Sequence, residues 1–371
     1  EKRSKMNIAY KYRIYPDRKQ TLLIEKTFGC CRKVWNLMLS DKIAYYKSTG
    51  KSLMTTPAMY KKEYPYLKEA DSLALANVQT NLQDAYKNFF RNDQISFPKY
   101  KSKKHCKKSY TTNMVNGNIV LDFENKTIRL PKLGKVKAVF HRLPASVWKI
   151  KSVTVSRNVI NEYCISVLFE YEDTVIPMAY DSSDDILGLD YKSNGLYMDS
   201  EGHCADMPHY YRKSQKVLAK KQRKLSKKKL HSNNWYKQQF KVNKTVIKTA
   251  RQRTDFLHKE SRKIANSYDF VSVEDLNMKG MSQSLKLGKA TMDNGYGMFI
   301  NMLAYKLEAK GGRLIKTDKW FPSTQLCSKC GSIKKIPLSQ RIYICECGNI
   351  IDRDFNSAIN IALEGRRIVS A

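Results

Sequence analysis

Apolar and polar residues alternate over residues 7–14 (Asn-Ile-Ala-Tyr-Lys-Tyr-Arg-Ile), which predicts a strand. Tyr15-Pro16-Asp17 then turns the chain, and Asp17 can cap a helix. From 18 to 92 the apolar spacing is helical, as in Leu22, Ile24, Phe28 and Val34, Leu37, Met38, with breaks at Pro57 and Pro65. Residues 71–90 predict an amphipathic helix: Leu75, Val78, Leu82, Ala85 and Phe89 share one face, while Asn77, Thr80 and Asn81 lie elsewhere. Between 112 and 172 short alternating runs predict a small β unit, with turns at Asn116-Gly117 and Leu133-Gly134 and a strand pair at 153–156 and 163–171. A helical insertion thus separates the first strand from the rest.

The acids Glu172, Asp173, Asp181, Asp184 and Asp185 mark the expected domain boundary. Beyond them, Ile186-Leu-Gly-Leu-Asp190 reads as a buried strand ending in an acid, with a hairpin partner at 195–200. Residues 210–264 read as one long basic helical region, and Phe270-Val-Ser-Val-Glu274 as a second buried strand ending in an acid. An amphipathic helix at 298–310 stops at Gly311-Gly312 and leads into a strand at 313–316. A Cys-rich loop fills 327–347, and a final helix runs from near Arg353 to about Glu364. No apolar run approaches the ~18 residues of a membrane span, and the basic N-terminus lacks the apolar segment of a secretory signal. Met6 is a candidate natural start.

Charge narrows the partners. The 371 residues carry 68 Lys+Arg against 34 Asp+Glu, a net +34. Residues 210–264 alone hold 19 Lys/Arg against Asp255 and Glu260, which is half of that excess. DNA, RNA, an anionic membrane or an acidic protein would each suit such a charge. The cations are spread along the chain among 23 Tyr, 13 Phe and 4 Trp, and that interleaving favours phosphate contacts with base stacking. A further basic aromatic stretch spans 97–110 and includes Lys99, Lys101, Lys103 and Lys104. The 42% hydrophobic content is enough to bury a core. Nine Cys, an odd number, fit a reducing cytoplasm better than a disulfide framework.

Three acids stand where buried elements meet an edge: Asp190, Glu274, and Asp354 in Asp352-Arg-Asp-Phe-Asn356. Any one alone reads as a cap or a surface charge, and the case rests on the combination. Together they would repel unless a hard cation, Mg²⁺ or Mn²⁺, neutralised them, and two such ions serve phosphodiester hydrolysis. Asp352 competes with Asp354 for the third position. Asp354 is preferred because Ala358, one turn on, is small enough to face a sheet, which leaves Asp352 to complement the helix dipole. Cys327-Ser-Lys-Cys330 and Cys345-Glu-Cys347 have the layout of a four-thiolate Zn²⁺ ribbon, with a second pair one residue shorter than usual. Unliganded thiols are the alternative. None of the six His lies in a ligand motif.

These pieces resemble the TnpB family of transposon-encoded, RNA-guided DNA nucleases, OrfB-type proteins related to type V CRISPR effectors. The resemblance spans essentially the whole chain. It is carried by YKYRIYP at 10–16, 72–90, FPKYKSKK at 97–104, ILGLD at 186–190, VEDL at 273–276, WFPSTQLCSKCG at 320–331 and YICECGNIIDRDFNSAINI at 343–361. It implies a multidomain α+β fold: a wedge β-barrel with a helical recognition insertion, then an RNase H-like RuvC nuclease domain with an inserted zinc ribbon. The implied boundaries are a wedge strand at 1–15, recognition insertion at 16–108, wedge barrel at 109–180, RuvC at 181–320, zinc-ribbon nucleic-acid-binding loop at 321–350 and the third RuvC motif at 351–371. Residue by residue, Asp190, Glu274 and Asp354 fall on the Mg²⁺-binding carboxylates, and Cys327, Cys330, Cys345 and Cys347 on the zinc ligands. The implied partners are a guide RNA from the transposon end and double-stranded target DNA beside a short motif, bound by a monomer with one RNA in the bacterial cytoplasm at the nucleoid. Asn77, Asn81, Tyr110, Thr111, Thr112 and Asn113 are candidate base readers, with Lys220, Lys221, Arg223 and Lys224 beside the 97–104 lysines as backbone contacts. Competing readings are a nuclease-inactive RNA-guided repressor, a DNA transposase, and a zinc-ribbon RNA-binding protein.

Overall fold

A computed structural model of the chain describes residues 4–173, 178–179, 181, 185–284, 288–337 and 340–370. Asp184, in the expected acidic boundary, lies outside them. The chain divides into two units, Glu1–Thr174 and Val175–Ala371.

In the first unit the N-terminal alternation extends into a long strand, β1 (Ser4–Tyr15). Asp17 caps helix α1 (Arg18–Thr49) reciprocally with Gln20: the Gln20 N–H donates to Asp17 Oδ1 at 2.8 Å, and the Asp17 N–H to Gln20 Oε1 at 3.0 Å. Gly50 ends α1 in the left-handed conformation, φ 69°. Pro57 and Pro65 each open a 3₁₀ turn, and Asp71 caps α2 (Ser72–Arg91). Six strands follow: β2 (Ser109–Asn113), β3 (Val120–Asp122), β4 (Thr127–Leu130), β5 (Gly134–Val139), β6 (Lys149–Arg157) and β7 (Tyr163–Asp173). They join β1 in one antiparallel sheet of order β2-β6-β7-β1-β5-β4-β3. The sheet curls as a half-barrel with β2 and β3 at its edges, so among the described residues it is open where a closed barrel was expected. Its buried face (Tyr12, Ile14, Ile165, Val167, Phe169) shares one core with Phe28 and Val34 of α1 and Leu75 and Leu82 of α2.

The second unit is built on a four-stranded sheet of order β11-β10-β8-β9. Strands β8 (Ile186–Tyr191), β10 (Phe270–Glu274) and β11 (Arg313–Thr317) are parallel, and β9 (Tyr197–Asp199) folds back on β8. The expected basic helical region is a pair of helices, α3 (Tyr210–Ser226) and α4 (Asn233–Ser267). Ser232 caps α4, its Oγ accepting the Trp235 N–H at 3.2 Å. Short helices α5 (Met278–Ser284) and α6 (Gly288–Asn294) precede α7 (Tyr296–Glu308). Hairpin strands β12 (Ile342–Ile344) and β13 (Ile350–Asp352) close the Cys-rich loop, and α8 (Arg353–Ser370) ends the chain. No helix among the described residues is long and apolar enough to cross a membrane.

Strand periodicity sorts the sheet's two faces. Leu187, Leu189, Val271 and Val273 pack with Leu257 of α4 and Phe299 and Leu303 of α7. The alternate residues face α8. A Cβ at Gly188 would overlap the Ala358 carbonyl oxygen and stand 2.6 Å from Ala362 N, and one at Gly365 would stand 2.5 Å from Ser272 Cβ. Helix α8 therefore rests on β8 backbone to backbone, and on β10 with Gly365 against the small Ser272 side chain. Gly188→Ala should destabilise the chain by about 3 kcal/mol, the upper end of overpacking. Gly297→Ala on α7, whose Cβ would meet nothing within 4 Å, should be neutral or gain up to about 1 kcal/mol. Urea unfolding of the two variants measures this, and equal behaviour would contradict the tight seating.

Candidate active site and metal centre

The face of β8 and β10 that carries Gly188 and Ser272 ends in Asp190 and Glu274, since both pairs are two residues apart. Helix α8 starts over these strand ends and brings Asp354. Asp190 is 6% exposed, and its Oδ1 accepts a hydrogen bond from Ser357 Oγ at 3.1 Å, one turn along α8. Burial pushes its carboxyl well above the usual range, and the charges of Glu274 and Asp354 push further; Ser357 and Arg353 only partly offset them. Burial also raises Glu274, whose Oε1 accepts from Ser323 Oγ. Asp354 Oδ1 lies 3.3 Å from the Arg353 guanidinium. Asp352 caps α8 instead, its Oδ1 accepting the N–H groups of Asp354 at 2.9 Å and Phe355 at 3.1 Å. The charges of Glu274 and Asp354 thus bear on Asp190, with one guanidinium beside them; among the described residues, the acidic or thiol groups close enough together to hold a metal ion are the four cysteines.

Two further groups belong to this centre without having stood out in the sequence. Tyr296 is 2% exposed, its ring 4.9 Å from that of Tyr191, and its hydroxyl is buried without a hydrogen-bond partner. Burial, then the charges of Asp190 and Glu274, hold it well above the ordinary phenol range, so it stays a neutral donor beside the acids. The flanking glycines, Gly295-Tyr296-Gly297, were the available signal. Ser323 is 3% exposed, and its carbonyl accepts Asn360 Nδ2 at 2.8 Å.

The four cysteines converge. Cys327 Sγ lies 3.7 Å from Cys347 Sγ, Cys330 Sγ lies 3.6 Å from Cys345 Sγ, and all four Sγ atoms fall within 4.8 Å of one another. Zn–S bonds of ~2.3 Å in a tetrahedron would put sulfurs about 3.8 Å apart, far beyond a disulfide at ~2.05 Å. The cluster could thus hold a metal such as zinc. Each pair sits on a turn ending in a left-handed glycine, Gly331 (φ 74°) and Gly348 (φ 84°). The tighter Cys345–Gly348 turn delivers both thiols despite the missing residue, with the Gly348 N–H donating to the Cys345 carbonyl at 3.1 Å. Burial would raise the Cys327 thiol, but hydrogen bonds from Asn349 and from the backbone N–H groups of Cys330 and Lys329 outweigh it and bring it to about 6.

The nucleic-acid candidates divide. Asn81, Lys99, Lys103, Lys104, Asn113, Lys220, Arg223 and Lys224 are exposed. Four expected readers are not. Tyr110 is 6% exposed and packs on Phe28 in the core, and Thr112 is 1% exposed. Asn77 spends its amide donors on the Leu73 carbonyl at 2.9 Å and the Thr111 carbonyl at 3.0 Å, pinning α2 to β2. Thr111 Oγ1 bonds Thr154 Oγ1 at 2.8 Å across the sheet. Lys101 lies 3.5 Å from the Trp35 ring centroid, and Lys221 donates to Thr245 Oγ1 at 2.5 Å.

Residues 296–361 match a family described as "Cas12f1-like, TNB domain", residues 169–285 one described as "Probable transposase", and residues 6–51 one described as "Helix-turn-helix domain". Over 6–51 the chain is a strand and one continuous helix, so that last label does not describe this geometry. A Streptomyces pristinaespiralis protein named "Putative RNA-guided DNA endonuclease" is 32% identical, over 96% of this chain and 89% of the relative. Its Escherichia coli K12 counterpart, InsQ, bears the same description and is 29% identical over 98% and 93%. Among solved structures, a chain of a Cas12f1–sgRNA–target DNA complex superposes with a TM-score of 0.59 over 96% of this chain and 99% of that one, at 12% identity, a likeness of fold.

Two outcomes are expected from the two centres. Because the folded chain holds Asp190 and Glu274 above their unfolded values, it keeps protons there that the unfolded chain releases above pH ~4. Their contribution is therefore fully present at low pH and lost as pH rises through the folded values. Without added divalent cation, Asp190→Asn should stabilise the protein at pH 7 by on the order of 1–3 kcal/mol, and the gain should vanish near pH 4; thermal melts across pH test this, and a pH-independent difference would contradict it. Elemental analysis of the purified chain should find one zinc per chain, reduced by Cys327→Ser. Four freely titrating thiols with no metal would exclude the ribbon.

Proposed function

The chain belongs to the TnpB family, and we propose that it is an RNA-guided DNA endonuclease: it binds a guide RNA from a transposon end and cleaves double-stranded DNA next to a short adjacent motif. The observation that carries this reading is the placing of Asp190 and Glu274 at the ends of two parallel strands, with Asp354 on the first turn of α8 close enough for its charge to bear on Asp190. In this reading the β8–β11 sheet with its helices is an RNase H-like RuvC domain, the first unit's sheet is the wedge, α1 and α2 are the recognition insertion, and the Cys loop is a zinc ribbon.

Asp190, Glu274 and Asp354 would hold Mg²⁺ or Mn²⁺, which when bound polarises the scissile phosphate and supplies a nucleophilic water at neutral pH. The chain's residues do the positioning. Ser357 orients the Asp190 carboxylate, and Ser323 orients that of Glu274. Arg353 holds Asp354 and offsets part of the negative charge. The neutral Tyr296 phenol adds a buried donor without adding charge. The RNA and its heteroduplex would be held through phosphates by the basic segments. Between α3 and α4 a 580 Å³ groove presents Lys213, Lys221, Lys244 and Lys248 with the hydroxyls of Ser214, Thr245 and Thr249. Such contacts are blind to sequence and steeply salt-dependent, so specificity falls to guide pairing and a few polar readers.

The test is to purify the protein from cells carrying its native locus, sequence the bound RNA, and offer a plasmid library with a randomised adjacent motif plus Mg²⁺. Bound transposon-end RNA and depletion of one motif class are expected. Asp190→Ala should keep the RNA and lose cleavage by on the order of 10³-fold or more, since metal-held charge stabilisation amounts to several kcal/mol at 1.36 kcal/mol per tenfold. A transposase would purify free of RNA and act on transposon ends, and a repressor would bind the target without cutting it.

A further inference from the structure

Of the four tryptophans, Trp35 is 6% exposed, Trp148 and Trp235 are half-buried, and Trp320 is 81% exposed. An indole left this open is costly to keep in water, and the backbone that carries it is held in place. The Trp320 N–H donates to Asp318 Oδ1 at 2.8 Å, and the Phe321 N–H to the Asp318 carbonyl at 3.1 Å, so the tryptophan rides on an Asp-capped turn. Pro322 follows, and its carbonyl accepts the N–H groups of Gln325 at 2.9 Å and Leu326 at 3.1 Å. Then comes Ser323, which is tied to Glu274 through its hydroxyl and to Asn360 through its carbonyl. Three residue steps reach at most about 11 Å, so the Trp320 Cα lies within that distance of the Cα of Ser323, the serine that touches Glu274. Lys319 Nζ lies 5.0 Å from the ring centroid. One face of the indole thus carries a cation, which draws a phosphate, and an aromatic ring stacks any base.

We propose that Trp320 is a stacking platform for an unpaired nucleobase of the strand that enters the carboxylate centre, with Lys319 pairing the adjoining phosphate. The inference rests on the nuclease reading for the identity of that strand. It adds a base-binding site on the loop between β11 and the cysteine cluster, three residues before the serine that holds Glu274. The net charge of +34 opposes a second copy of the chain as the occupant and favours a polyanion.

The test uses the full chain without divalent cation, at raised salt to weaken backbone contacts. A single-stranded DNA 12-mer is titrated while tryptophan emission is followed, with RNA of the same sequence as the second arm. DNA or RNA should quench the emission of an exposed tryptophan. Trp320→Phe should abolish the quench and keep the affinity. Trp320→Ala should lose about tenfold in affinity, about 1.4 kcal/mol. Quenching by either arm supports the platform, and the tighter arm names the strand. A quench that survives in Trp320→Phe, unchanged affinity in Trp320→Ala, or no quench by either arm overturns it, the last leaving the indole to a protein partner. The two readings fail separately. A Trp320-dependent quench in a protein that never cuts DNA with its RNA and Mg²⁺ refutes the nuclease and keeps the platform. Cutting with no Trp320 effect on affinity refutes the platform alone.

Discussion

The second unit depends on how closely α8 approaches β8 and β10. The strand face beneath the helix reads Ile186, Gly188, Asp190 on β8 and Phe270, Ser272, Glu274 on β10. In each strand an apolar residue comes first, a small one second and an acid third. The small pair lets the helix backbone down onto the sheet, where the Ala358 carbonyl meets Gly188 and Gly365 meets the Ser272 side chain. Seated that low, the first turn of α8 stands beside the two acids, and Asp354 and Ser357 reach the same space. A larger residue in the middle row would lift the helix and open the centre, even with every carboxylate present.

The same helix ties the two candidate metal centres together. Asn356 Nδ2 donates to the Leu326 carbonyl at 2.7 Å, and its Oδ1 accepts the Ser328 N–H at 3.0 Å. Asn360 donates to the carbonyls of Ser323 and Leu326. Both amides are nearly inaccessible, at 0% and 1% exposed. One stretch of loop therefore carries Ser323 toward the carboxylates and Cys327 into the thiolate cluster. The two centres contrast in their electrostatics. Burial makes Asp190 and Glu274 resist ionisation, while hydrogen bonds from Asn349 and from backbone N–H groups favour the Cys327 thiolate. Both gather acidic groups within a strongly cationic chain.

What could be read in advance follows the range of the interactions. The acid-tipped strands were legible because four apolar or small residues in a row before a carboxylate leave few alternatives. The cysteine set was legible from spacing, and Gly348 explains how the short pair still closes. The helix pair α3–α4 was not legible as a pair. Its turn, residues 227–232, is Lys-Lys-Lys-Leu-His-Ser, with neither Gly nor Pro to announce it, and His231 takes the left-handed conformation at φ 64°. Asn77 and Tyr110 were misplaced for a different reason. What occupies them is far away in sequence: Asn77 is spent on Thr111, and Tyr110 is buried by Phe28. Helical periodicity shows which side of α2 is polar and is silent on which strand runs alongside.

From Asp352 to Asn360 nearly every residue has its own use, as cap, ion pair, carboxylate, loop anchor, carboxylate orienter, contact with Gly188 or second loop anchor. These side chains face different neighbours at angles set by the helix, with each step turning about 100°. Inserting or deleting one residue would swing every later side chain onto the wrong neighbour at once. The segment can therefore tolerate exchange of a side chain at one position far more readily than any change in its length. Between Ile333 and Ile342 the ties among described residues are fewer: Ile336 packs on the cysteine cluster, and the carbonyls of Gln340 and Arg341 accept from Arg353. Among relatives, variation in size should collect there, and the stretch from Asp352 to Asn360 should keep its count.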